Sequence, residues 1–387
     1  MSYKLVLLAI ATSLYAQSEF VIPDEGVGTR GYAMGGAQVA LASDFSASYW
    51  NPAALTNLRQ HEFMFSFAYN SLTDASRYDG SAPLSANINS LGLQSIGYAH
   101  PFPTLQGSLV LALGYSRPTN ISDVQQYNNP AGLYKAQGYL SRWNVAVAAM
   151  LLKSLSLGIN GYINSGNDEV TFQYADGNQN ISDVGSFFGL GFDLGLLLAI
   201  TENLRAGVSA TLYNSENSSR KAERFILDTL YSENATKTYV QNPVKIRAGL
   251  GYHSLPFSIG ADILFTNWEN SKYYIKDFQT PFHDPDLVNT IEYSLGAESI
   301  LPMPSPNAPG IKLRAGVSHA GQPYASFRSP DGRNSVSGGV GMLFDRALLL
   351  DIAGRYSVNR FEFNDGFQTV DREVKTKTLL FSISYRY

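Results

Sequence analysis

The chain has 387 residues, of which 28 are basic and 32 acidic, so its formal net charge is −4, and it contains no cysteine. This charge balance lacks the basic surface that binds nucleic acid, and the missing thiols exclude disulfides and thiolate metal sites. Charged residues make up only 16 % of the chain, whereas tyrosine and phenylalanine number 24 and 21, a composition typical of a surface that meets lipid.

Residues 1–16 have the pattern of a secretory signal peptide. Lys4 supplies a positive start, Leu5 to Leu14 form a short apolar core, and small residues lead to a cleavage site after Ala16. The core is shorter than the about 20 apolar residues that a membrane-spanning helix needs. No later stretch is long enough either, so a membrane protein of this sequence must cross the bilayer as a closed barrel.

The segment 17–57 is rich in glycine and alanine and is predicted to form a hatch, a small plug inside a larger sheet. Small side chains let one backbone pack closely against another. The glycines do not follow the spacing of a phosphate-binding loop. A short helix is expected at 37–42, and Pro52 should end any helix that begins near Ser46. The residues expected to shape the hatch are Arg30, Gly31, Met34, Gly35, Gly36, Asp44, Ser46, Asn51, Pro52 and Ala53.

Beyond His61 the sequence takes on the two-residue period of β-strands. Leu157 and Ile159, for example, alternate with Ser156 and Asn160, which predicts one apolar and one polar face. Fourteen strands are predicted, at 61–70, 91–100, 106–116, 138–151, 154–165, 186–200, 203–214, 242–253, 256–268, 289–301, 311–319, 334–344, 347–358 and 374–387.

The connections between these strands alternate between long and short along the whole chain. Outer-membrane barrels alternate long external loops with short periplasmic turns, whereas a soluble sandwich has no reason to sort its loops in this way. We therefore predict an all-β fold. It is a 14-stranded antiparallel transmembrane β-barrel over 58–387, with the hatch of 17–57 in its lumen.

The last strand carries Phe381, Ile383, Tyr385 and Tyr387 on one face. A barrel closes by pairing its last strand with its first, so this face should point outward. An aromatic residue at the C-terminal end is similar to the signal that the outer-membrane assembly machinery reads. An ordinary edge strand that happens to end on tyrosine is the alternative.

The run RGYAMGGA at 30–37, followed by SDFSASYWNPAAL at 43–55, resembles the N-terminal signature of the FadL-type outer-membrane transporter superfamily. That group includes long-chain fatty-acid and hydrocarbon transporters and, more distantly, the PorV-type barrels of a secretion system. The resemblance implies a place in the bacterial outer membrane, among lipid and lipopolysaccharide, and transport of a hydrophobic small molecule past the hatch. The alternatives are a PorV-like scaffold for secreted proteins and a porin.

The longest predicted loop, 215–241, contains apolar residues at helical spacing between Ala222 and Leu230. FadL-type transporters have apolar, partly helical outer loops that capture ligand. The resemblance therefore implies a ligand-binding role for Phe225, Ile226 and Leu230. A helix that folds down as a lid over the barrel mouth is the alternative.

Four cationic residues are predicted to face the lumen near its periplasmic end. They are placed to hold acidic hatch residues such as Asp24, Glu25 or Asp44, and to receive a carboxylate ligand. A hydrated wall whose charges pair across the lumen is the plainer interpretation. The four residues are Arg205, Lys312, Arg314 and Arg386.

In the fatty-acid branch of the family, a kink in the third strand opens a lateral exit. The third strand predicted here is 106–116, and Gly107 and Gly114 are its candidate weak points, since glycine within a strand often marks a bulge.

The sequence contains no pattern typical of an enzyme. Five scattered histidines show no paired-ligand spacing, so no catalytic residue, metal site or cofactor is predicted. They are His61, His100, His253, His283 and His319.

Overall fold

The computed structural model describes residues 25–227, 229–275, 285–302, 309–327, 332–364 and 368–387. The predicted signal peptide and the first part of the predicted hatch, including Asp24, lie outside these ranges. Within them, no helix is long and apolar enough to cross a bilayer.

The described chain begins with short helices and continues as strands. Helix α1 is Thr29–Ala33 and α2 is Ala47–Trp50, and 3-10 turns lie at Pro52–Asn57 and Trp268–Asn270. The strands are β1 Glu62–Tyr78, β2 Leu84–Phe102, β3 Leu109–Asn128, β4 Ala131–Leu152, β5 Leu155–Tyr174, β6 Gln179–Ala199, β7 Leu204–Ile226, β8 Thr229–Gln241, β9 Lys245–Ser254, β10 Phe257–Thr266, β11 Lys272–Ile275, β12 Thr290–Ile300, β13 Gly310–Ala320, β14 Arg333–Phe344, β15 Leu348–Asn364 and β16 Thr369–Arg386.

These sixteen segments form fourteen barrel strands. Both β8 and β9 pair with β7 in one continuous register, interrupted near Pro243, which has no N–H for the ladder. In the same way, β11 continues β10 after the 3-10 turn and pairs with β8. All pairs are antiparallel, and β16 pairs with β1 from Glu62 opposite Arg386 onward. The predicted closed 14-stranded barrel and its closing pair are thus confirmed.

The two faces of the wall differ as the two-residue period predicts. In β5, Ile159 is 49 % exposed on the outside, whereas its neighbour Asn160 is fully buried on the inside. In β16, Phe381 and Ile383 are exposed in the same way. Apolar side chains therefore form an outer belt, and polar ones line the interior.

The predicted long loops at 117–137, 166–185 and 215–241 are largely strand. The hairpins β3–β4, β5–β6 and β7–β8 continue well beyond the predicted strand ends and close in tight turns. We call this end of the barrel the long-hairpin end, and the opposite one the short-turn end.

The predicted helix over 222–230 is wrong. This segment is the tip of the β7–β8 hairpin, with Phe225 opposite Leu230, and Phe225 also pairs with Asn180 of β6. Strand partners on both sides satisfy the backbone of β7, and this tertiary pairing overrides a short helical spacing.

Candidate functional site: hatch, chamber and strand break

Residues 25–58 fill the barrel and contact its wall on many sides. Phe45 N–H donates to Glu62 Oε1 of β1 at 3.0 Å. On another side of the barrel, Ser337 Oγ of β14 donates to the carbonyl oxygen of Ala33 at 3.1 Å. We call this segment the hatch, and its hydrogen bonds join it to wall strands as far apart in sequence as β1 and β14.

The hatch rests directly on the barrel backbone at Gly35 and Gly316. Gly35 has a φ of +67°, and a Cβ added to it would lie 2.7 Å from the carbonyl oxygen of Val317. A Cβ on Gly316 of the wall would lie 2.2 Å from Gly35 N. Both positions need glycine, Gly35 for its conformation as well as for the close approach.

The same close approach recurs at β5 and β6. A Cβ on Gly158 would lie 2.2 Å from Ala53 N, and one on Gly195 would lie 2.1 Å from Asn51 Oδ1. The sequence does not reveal the role of Gly158 and Gly195, because an isolated glycine in a strand usually indicates only a weak point.

Two carboxylates of the wall anchor the hatch. Arg30 donates from Nε and Nη2 to Glu298 of β12, at 3.2 and 3.1 Å. Asp262 Oδ2 of β10 accepts from the backbone N–H groups of Gln38 and Val39, at 2.6 and 2.8 Å. Charge-assisted hydrogen bonds of this kind are stronger than neutral ones.

The Asn51-Pro52 pair shapes the end of the hatch. Asn51 Oδ1 accepts from Ala53 N at 3.1 Å, and its Nδ2 donates to the carbonyl oxygens of Val39 and Leu196, at 2.8 and 2.9 Å. Pro52 begins the 3-10 turn, where its missing N–H needs no partner. Asn51 thus joins two parts of the hatch to β6.

The other predicted hatch residues also lie inside the barrel. Asp44 accepts from Ser46 N–H and Oγ, at 2.9 and 2.5 Å. A Cβ on Gly31 would lie 2.9 Å from Trp50 Nε1, which shows how closely the indole packs. Met34 is fully buried. Gly36 has a φ of +98°.

Two of the predicted lumenal cations, Arg314 and Arg386, form ion pairs with carboxylates of the wall rather than with the hatch. Arg314 binds Glu298 and Asp351 at 2.6 and 2.5 Å, and Arg386 binds Glu62 at 2.6 Å. Glu298 and Glu62 stand directly opposite these arginines on neighbouring strands, so the sheet register selects the partners. The wall thus neutralises these cations itself, and they do not bind the hatch acids Glu25 or Asp44.

Glu25 lies against α1 and against strands β3 and β15 of the wall. It accepts a hydrogen bond from Tyr32 Oη at 3.1 Å, and its carbonyl oxygen accepts from Arg355 Nη1 at 3.0 Å. Desolvation inside the barrel raises the pKa of the Glu25 carboxyl, and the nearby Arg355 opposes this rise.

On the long-hairpin side of the hatch, the wall and hairpins enclose a chamber of about 330 Å³. Phe327 stacks on Phe361 at 5.0 Å and on Phe363 at 4.9 Å between ring centroids. Polar side chains are numerous in the lining, but apolar and aromatic atoms contribute most of the chamber surface, as in most ligand pockets. Its apolar lining comprises Leu72, Ile121, Tyr127, Tyr134, Ala136, Leu264, Trp268, Ala320, Pro323, Tyr324, Phe327, Phe361 and Val374.

The strongest charges at the chamber wall are paired within the protein. Arg372 binds Asp74 Oδ2 at 2.5 Å and also contacts Asp123. Glu292 and Arg333 lie 3.7 Å apart. An apolar ligand can therefore occupy the chamber without stranding these charges.

The wall has a break between β2 and β3 beside the chamber. These strands pair only from Phe102 opposite Leu109 to Ser95 opposite Ser116. At that point the register between β3 and β4 shifts, across Arg117-Pro118. Proline cannot donate to a ladder and is tolerated in strands at bulges.

The break adjoins both the hatch and the chamber. Glu25 N–H donates to the carbonyl oxygen of Pro118 at 2.7 Å. Asn120 Nδ2 reaches across the break to Ser90 Oγ at 3.2 Å. Glu25 and Asn120 also line the chamber, so chamber, break and hatch meet at this point.

Gly107 and Gly114 do not form this break. Gly107 lies in the short turn before β3, and Gly114 is paired with Gly97 and Asn144. A Cβ on Gly114 would lie 2.6 Å from Phe45, so this glycine makes room for a hatch side chain. The sequence signal for the break is the proline at 118, just beyond the predicted end of the third strand.

The predicted capture residues Phe225, Ile226 and Leu230 lie at the tip of the β7–β8 hairpin. None of the three is among the described residues that line the chamber. Their ligand-binding role stays a prediction.

No family model and no curated protein matches this sequence. Solved structures do resemble its fold. A FadL homologue of Pseudomonas aeruginosa is 15 % identical, with 95 % of this chain and 99 % of that chain covered and a TM-score of 0.70. The toluene transporter TodX of P. putida is 14 % identical, with 94 % and 99 % covered and a TM-score of 0.67. The toluene transporter TbuX of Ralstonia pickettii is 14 % identical, with 94 % and 99 % covered and a TM-score of 0.63. The chain therefore has the fold of the FadL-type barrels.

Proposed function

We propose that this protein carries a hydrophobic small molecule across the bacterial outer membrane. The observation that carries the proposal is the mainly apolar chamber between the long hairpins and the hatch. The apolar outer belt suits a bilayer, and two structures of similar fold are described as toluene transporters. A hatch that fills the lumen argues against an open porin.

In this proposal the ligand enters between the long hairpins, rests in the chamber and leaves at the β2–β3 break or past a displaced hatch. Glu25 and Asn120 are placed to take part in both binding and release, because they lie where the chamber meets the break. Burial of apolar ligand surface, worth about 25 cal/mol per Å², supplies the binding free energy.

The size of the chamber limits the ligand. Its volume of about 330 Å³ exceeds the about 150 Å³ of an engineered protein cavity that holds benzene. A monoaromatic hydrocarbon or a short aliphatic chain fits within it. A long-chain fatty acid would need to extend beyond the chamber, towards the break or the mouth.

Binding of radiolabelled toluene to the detergent-solubilised protein tests this proposal. Phe361→Ser changes the chamber wall, and Phe188→Ser makes the same change on the exposed outer face of β6. We expect Phe361→Ser to weaken toluene binding at least tenfold, and Phe188→Ser to leave the equilibrium affinity unchanged. Unchanged binding in Phe361→Ser would contradict a chamber site.

Native mass spectrometry of the protein extracted from outer membranes addresses the scaffold alternative. A co-purified hydrocarbon or lipid mass that is reduced in Phe361→Ser supports transport. A barrel that carries a protein partner and no small molecule supports the PorV-like scaffold.

A further inference from the structure

A second cavity, of about 200 Å³, lies on the short-turn side of the hatch. It is separate from the chamber of the proposed function, since the two have no lining residue in common. Hatch residues Arg30 and Asp44 form part of its wall. Arg205 reaches it from β7, and Lys312 and Arg314 reach it from β13.

This cavity is rich in positive charge. Five cationic side chains line it: Arg30, Arg205, Lys312, Arg314 and Arg386. Even when Glu62, the partner of Arg386, is counted with the lining residues Asp44, Glu298 and Asp351, the cations outnumber the carboxylates. The protein therefore leaves at least one positive charge in the cavity unbalanced.

Two of the cationic groups have unused donors. Arg314 is 5 % exposed, and its Nη2 is buried with no hydrogen-bond partner, although Nε and Nη1 bind Glu298 and Asp351. Lys312 feels the charge of Glu298 but has no ion pair or hydrogen bond within the described part of the chain. The buried Nη2 of Arg314 is costly without a partner, whereas Lys312 is half-buried, and an anion that contacts both groups would use both donors.

Part of the cavity wall is apolar. The apolar side chains of its lining are those of Leu41, Met64, Ile300 and Leu349. A wall with unused cationic donors beside apolar side chains suits an acid with a short hydrocarbon chain better than a bare, strongly hydrated phosphate.

We propose that this cavity binds the carboxylate of a small amphiphilic acid. Arg314 Nη2 and Lys312 Nζ each donate to a carboxylate oxygen, Arg205 adds positive charge, and the hydrocarbon chain lies against Leu41 and Met64. The site does not depend on hydrocarbon binding in the chamber.

Isothermal titration of the full chain in nonionic detergent tests this site, with hexanoate as the probe and hexan-1-ol as its neutral counterpart. Lys312→Gln removes one positive charge without breaking an ion pair or hydrogen bond among the described residues, and Lys237→Gln makes the same change on the exposed surface of β8. We expect hexanoate to bind at least tenfold more tightly than hexan-1-ol. Lys312→Gln should remove this preference, and Lys237→Gln should preserve it.

Equal binding of hexanoate and hexan-1-ol would overturn the proposal, as would an unchanged hexanoate affinity in Lys312→Gln. The chamber variant Phe361→Ser separates the two sites. Hexanoate binding that survives Phe361→Ser but not Lys312→Gln supports the second site. Hexanoate binding that is lost in Phe361→Ser but kept in Lys312→Gln places the acid in the chamber and refutes this site.

Discussion

Replacing Gly158 by alanine tests how the hatch is seated. The added Cβ would lie 2.2 Å from Ala53 N and 2.3 Å from the Pro52 carbonyl carbon, more than 1 Å inside ordinary van der Waals contact. Both are backbone atoms of the 3-10 turn Pro52–Asn57, so no side-chain rotation relieves the clash. The hatch or β5 must move.

The cost of Gly158→Ala follows from these contacts. Overpacking of a tight interior costs about 1–3 kcal/mol. A shift of the turn also strains the hydrogen bond from Asn51 to the Leu196 carbonyl oxygen, and loss of such a bond costs about 1 kcal/mol. A combined cost of about 3 kcal/mol would raise the population of the displaced hatch by roughly 100-fold.

Thiol labelling measures this displacement directly. The native chain has no cysteine, so Ser48→Cys, at a buried hatch position, introduces a single thiol. We expect maleimide to label this thiol much faster in the Gly158→Ala background, and single-channel conductance to rise.

The matched control is Gly161→Ala, three positions along the same strand, where the added Cβ meets nothing within 4 Å. This variant should behave as the parent does. Equal labelling rates and equal conductance in Gly158→Ala and Gly161→Ala would refute a hatch seated on wall glycines.

Three further predictions concern the hatch anchors and the break. Arg30→Met should lower the unfolding free energy by about 3 kcal/mol, since it breaks a buried ion pair; urea denaturation in detergent measures this loss, and an unchanged midpoint would contradict it. Asp262→Ala should cost about 2 kcal/mol by stranding the N–H groups of Gln38 and Val39, while Asp262→Asn, which keeps an acceptor, should cost less in the same assay. Deletion of Pro118 should remove the one-residue offset between β3 and β4, which would slow cellular uptake of labelled toluene but spare toluene binding in detergent; normal uptake would exclude the break as an exit.

The barrel was predictable because its signal is local. Ile159 and Asn160 point to opposite faces whatever the rest of the chain does, so the alternation alone indicated β5 and its neighbours. Strand length was not predictable in this way. Beyond the apolar belt, segments such as 215–221 are polar on both faces, and only their pairing with β6 and β8 shows that they are strand.

The contacts of the site depend on residues that are distant in the sequence. Gly158 looks like a weak point in a strand until Ala53 is placed against it. The sequence predicts that Arg314 faces the lumen, but only the β12–β13 register shows that Glu298 is its partner. The chamber brings Ile121 together with Phe361, and no spacing rule connects positions so far apart.

Because the hatch packs against wall glycines, the inward and outward faces of these strands differ in their tolerance to substitution. Gly158 and Gly316 have no side chain, and main-chain atoms of the hatch occupy the space where a Cβ would lie. A mutation that adds even one carbon there is harmful whatever its polarity. The exposed outer face of the same strands can exchange one apolar residue for another. Substitutions in this protein should therefore accumulate rapidly at lipid-facing positions and only rarely at these inward glycines, although glycine has no side chain that could bind a ligand.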